Sequence, residues 1–85
     1  MALNETLQKV LLELKRQKKA ESFPDGVYGQ ANRIMCDVGN ICENVRRIKT
    51  DAKSREKIHI PFLKSSLIST MASCLRMIEE LEKNK

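Results

Sequence analysis

An 85-residue chain that is 41% hydrophobic and 32% charged has the composition of one folded domain. It is near the size at which a single core is barely sufficient without a metal, disulfides or a second subunit. No stretch approaches the roughly 20 consecutive apolar residues of a membrane-crossing helix, which predicts that the protein is not integral to a membrane and has no membrane partner. The net charge is +5, of which residues 43–57 carry +3, so an anionic partner has to be weighed.

The first predicted helix covers about residues 3–21. Asn4 suits its N-cap and Glu5 the first turn, where negative charge is favoured. Its apolar face is Leu3, Leu7, Val10, Leu11 and Leu14. The basic run Lys15–Lys19 follows, so contact with a core is expected to end near Leu14. Phe23-Pro24-Asp25-Gly26 reads as a turn, since Pro fixes φ, Asp bonds locally and Gly accepts positive φ.

The second helix, about residues 27–54, carries the longest pattern. Ala31, Ile34, Val38, Ile41, Val45, Ile48 and Ala52 recur in steps of three and four, and Met35 and Cys42 widen the stripe. A stripe that wide predicts a helix touching two neighbours, the central member of the bundle. Gly39, which costs about 1 kcal/mol relative to Ala in a helix interior, predicts either a close neighbour or a break. The polar stripe Arg33, Asp37, Asn40, Asn44, Arg47 and Asp51 on the other side reads as a solvated face laced with ion pairs.

Residues 54–60 form the second predicted connection, with Pro61 opening a third helix over about 61–83. Its apolar row is Leu63, Leu67, Met71, Cys74, Ile78 and Leu81. Between Lys64 and Arg76 it has no charge, and its small neutral residues allow another helix to approach closely. The pattern predicts an all-α, single-domain, up-down-up antiparallel three-helix bundle that pairs into a dimeric helical bundle. The expected partner or dimer interface is Leu67, Ile68, Ser69, Met71, Ala72, Leu75 and Met77.

Catalysis finds little support in the residues. His59, the only histidine, has no orienting acid in the sequence, and Glu79, Glu80 and Glu82 lack a converging set from other helices. Cys36, Cys42 and Cys74 do not make a paired C-x₂-C arrangement, so no metal and no cofactor is predicted. An odd cysteine count without a leader-like apolar run points to a reducing, cytoplasmic setting. The expected function is therefore a small non-enzymatic interaction or regulatory module that self-associates and takes a protein partner. The alternative is a basic DNA- or RNA-binding protein. It would use a degenerate helix-turn-helix around Gly39, with contacts from Arg46, Arg47, Lys49, Lys53, Arg55 and Lys57.

Overall fold

The computed structural model describes residues 3–20 and 26–83, in which three long helices pack together and no strand occurs. Helix α1 spans Leu3–Ala20, α2 spans Val27–Thr50 and α3 spans Ile60–Lys83. The turn expected at Phe23–Asp25 lies outside the described residues. Gly26 has φ +60°, the positive value anticipated there, and its carbonyl accepts the Gln30 N–H at 3.0 Å to start α2.

Helix α2 ends earlier than its apolar stripe suggests. Asp51 leaves helical geometry at φ −121° and ψ 79°, with its N–H still bonded to the Arg47 carbonyl at 2.8 Å. Residues 52–59 are not a loop. A 3₁₀ turn over Ala52–Ser54 and a π-helical turn over Arg55–His59 lead directly into α3. The corner is held by Arg55, whose Nε donates to the Ile48 carbonyl at 2.8 Å, and by His59, whose buried ring lies 3.0 Å from the Asp51 carboxylate.

The order of packing corrects the central role expected of α2. Helix α3 packs against both α1 and α2, and among the described residues α1 and α2 do not pack against each other. Lys18, near the end of α1, pairs with Glu79, and Gly26 lies beside Glu80, so α1 ends by the C-terminal end of α3 and runs alongside it in the same direction. Asp37 meets Ser73 and Asn44 meets Ser66, so α2 runs the opposite way. This is an up-down-up order with its third helix in the middle.

Gly39 neither breaks α2 nor admits a neighbour. The helix is continuous through it, and a Cβ built there would meet nothing within 4 Å. The helix-turn-helix geometry that required a turn at Gly39 is therefore not formed.

Candidate functional site

The interior of this bundle is polar. Gln17 and Ser73 are fully buried, Gln30 and Asp37 are nearly so, and the only buried apolar side chains among the described residues are Val10 and Ala72. Buried polar groups cost about 1–3 kcal/mol each when left unbonded, so such a centre needs partners for most of its groups. Five residues close a ring, while the Gln30 amide nitrogen is left without a hydrogen-bond partner. The Gln17 amide donates to the Ser69 carbonyl at 3.1 Å and to Ser69 Oγ at 3.2 Å, and accepts from Ser73 Oγ at 3.2 Å. Ser73 Oγ also lies 3.2 Å from Asp37 Oδ2. Arg33 completes the ring, with Nε 3.3 Å from Asp37 Oδ2 and a terminal nitrogen donating to Ser69 Oγ at 3.0 Å.

This ring corrects two expectations. The stripe containing Arg33, Asp37 and Asn44 is not a solvated face: Asp37 is buried and the other two are half-buried against α3. Helix α1 does not lose contact after Leu14 either, because Gln17 is buried in the middle of the basic run. Small serines on α3 let it meet both α1 and α2 closely enough for the ring to form.

Between α1 and α2, which do not pack against each other, lies an open groove of about 660 Å³ lined by the ring residues Arg33, Asp37 and Ser69. Lys9, Leu12, Glu13 and Arg16 form one wall, Arg33, Asp37 and Asn40 the other. Ser65, Ser66 and Ser69, with Phe62 and Ile68, supply the floor from α3. Glu13 accepts from Arg16 through both carboxylate oxygens, at 2.6 and 2.7 Å, and from the Gln17 amide at 2.9 Å. The Arg16 hydrogen bond holds its carboxyl at about 2, with partial burial opposing the shift and Gln17 reinforcing it.

Many of the apolar side chains lie on the outside. Along α3, Leu67, Met71, Cys74, Ile78 and Leu81 follow one another in steps of four, three, four and three, the spacing of a helix-pairing seam. All five are exposed, Ile78 at 55% and Leu81 at 51%. This seam points away from the face that holds Ser69 and Ser73. On α2, Met35, Val38, Cys42 and Val45 are also exposed, because the buried direction is rotated off the apolar stripe and towards Asp37.

The residues expected at a partner interface therefore divide. Leu67, Met71 and Leu75 are on the outer face, and Ile68 and Met77 are half-buried. Ala72 is fully buried within the chain and Ser69 belongs to the polar ring, so neither is offered to a partner. Ile78 and Leu81 extend the seam beyond the expected set, and their spacing was visible in the sequence.

The basic residues lie around the end of α2 and the corner that follows. Arg46 and Arg47 both bond Glu43, at 2.6 and 3.0 Å, and the Arg46 bond is the larger cause of the Glu43 carboxyl lying at about 2. Arg55 is committed to the corner through Ile48, while Lys49, Lys53 and Lys57 are exposed. No group of three or more His, Cys, Asp or Glu residues among those described could hold a metal, and the three cysteines are exposed free thiols. Among the described residues, no helix is long and apolar enough to cross a membrane.

No family model, curated protein or solved structure matches this chain. Its function is therefore read from the two surfaces just described.

Proposed function

We propose that this chain is a small non-enzymatic interaction module whose working form is a homodimer, with the α3 seam of one copy packed on the α3 seam of the other. The observation that carries the reading is the outward-facing row Leu67, Met71, Cys74, Ile78 and Leu81, for which the single chain has no cover. A row at heptad spacing is complementary to a helix, since each side chain can enter a hole between four residues of a facing helix. Residues 65–75 carry no charge, so two copies of this segment meet without like-charge repulsion.

Area supports a second copy as the cover. The chain exposes 6349 Å², whereas a compact monomer of 9.8 kDa exposes about 5,200 Å². Its radius of gyration of 14.4 Å likewise exceeds the roughly 12 Å of a compact chain of this length. Burying the excess on both copies would remove roughly 2,300 Å² from water, within the range of obligate homodimers.

The test is the pair of substitutions Met71→Glu and Ile78→Glu, examined by size-exclusion chromatography with light scattering and by circular dichroism. The reading expects loss of the dimer with helical signal retained at low temperature, because neither residue belongs to the polar ring. A double variant that keeps the wild-type mass would overturn it.

A further inference from the structure

The groove between α1 and α2 lies on the opposite side of α3 from the proposed seam, and self-association does not account for it. Its chemistry is mixed in a specific way. Leu12 and Phe62 line it and are 67% and 60% exposed, so the cleft carries apolar surface that includes an aromatic ring. The two acids of the groove are already engaged: Glu13 accepts from Arg16 and Gln17, and Asp37 forms an ion pair with Arg33 at 3.3 Å and lies 3.2 Å from Ser73 Oγ. Among the described residues no carboxylate pairs with the Lys9 ammonium, and Asn40 and Ser65 make no side-chain hydrogen bond. The lining thus has one cation to spare and surplus hydrogen-bond donors beside exposed apolar surface.

We infer that this groove is a binding site for a small organic anion, one with an apolar or aromatic body and a single carboxylate, sulfonate or phosphate head. The body lies on Leu12 and Phe62, and the head is received by Lys9 with Asn40 and Ser65. A cleft of about 660 Å³ has room for such a molecule, since small-molecule sites span roughly 300–1,000 Å³ and combine apolar walls with a few convergent polar groups. A cation is disfavoured by Lys9, because the negative charges nearby are neutralised by their arginines. A wholly apolar ligand would strip water from the donors without replacing their hydrogen bonds.

The experiment is a titration of the full chain with phenyl phosphate, followed by amide chemical shifts, with benzyl alcohol as the uncharged control. Saturable shifts are expected at Asn40, Ser65 and Ser66, with benzyl alcohol and the exposed-site variant Lys9→Gln each binding about tenfold more weakly, since a charge-assisted contact contributes on this scale. The Met71→Glu variant should bind as the wild type does, so failure of the dimer and failure of the groove site are separable. Shifts confined to the α3 seam, equal binding by benzyl alcohol, an unchanged affinity in Lys9→Gln, or the absence of saturation would each overturn the inference.

Discussion

Replacing Gly39 with alanine tests how well the path of α2 is understood. The position is in the interior of a 24-residue helix, on its exposed side, and the added Cβ would meet no atom within 4 Å. No clash offsets the gain in helix propensity, which for Gly to Ala is about 0.8–1.0 kcal/mol. For a domain of this length, each kcal/mol moves the melting temperature by about 4–8 °C. Gly39→Ala should therefore melt several degrees above the wild type by circular dichroism at 222 nm, at matched protein concentration because assembly also shifts the midpoint. A lower melting temperature would refute the reasoning, because it would mean that the glycine serves a bend or a close contact.

Three further outcomes follow from the polar interior. Asp37→Ala removes the carboxylate that holds Ser73 and Arg33, and urea titration should show a loss of about 3 kcal/mol, the scale of breaking a buried pair. Gln30 is buried and its amide nitrogen lacks a hydrogen-bond partner, so Gln30→Met should raise the urea midpoint by the equivalent of about 1 kcal/mol. Glu13 titrates at about 2 in the fold against 4.5 as a free side chain, so between these values the unfolded chain binds the proton first. Its stabilisation is complete above pH 4.5 and disappears as pH falls through about 2. Glu13→Gln should flatten that part of the stability profile, and an unaltered slope would contradict the arrangement with Arg16 and Gln17.

Helix count, approximate bounds and the up-down-up order were legible in the sequence because spacing in threes and fours reports helices directly. Which face of each helix turns inward was not. Helix α2 carries two periodic stripes side by side, one apolar and one polar, and periodicity alone does not say which one meets α3. The usual preference assigns the apolar stripe to the interior, yet in the single chain Asp37 is buried while Val38 and Val45 are exposed. The missing signal lay in coincidence across segments. Gln17, Arg33, Asp37 and the serines at 69 and 73 lie on three separate segments, and only together do they meet one another's hydrogen-bonding needs. The groove was similarly hidden, since it lies between α1 and α2, which pack on α3 and not on each other. The connection was expected at 54–60, but its earlier start and its helical turns over 52–59 were not legible because 3₁₀ and π turns have no strong composition of their own, whereas Pro61 marked the start of α3 to within one residue.

The measurement closest to the centre of this account is the mass of the purified wild-type chain by sedimentation equilibrium over a wide concentration range. An exterior seam on α3 requires a species of twice the 9.8 kDa chain mass that dissociates only on dilution. A chain that sediments as a 9.8 kDa monomer at every concentration would contradict it.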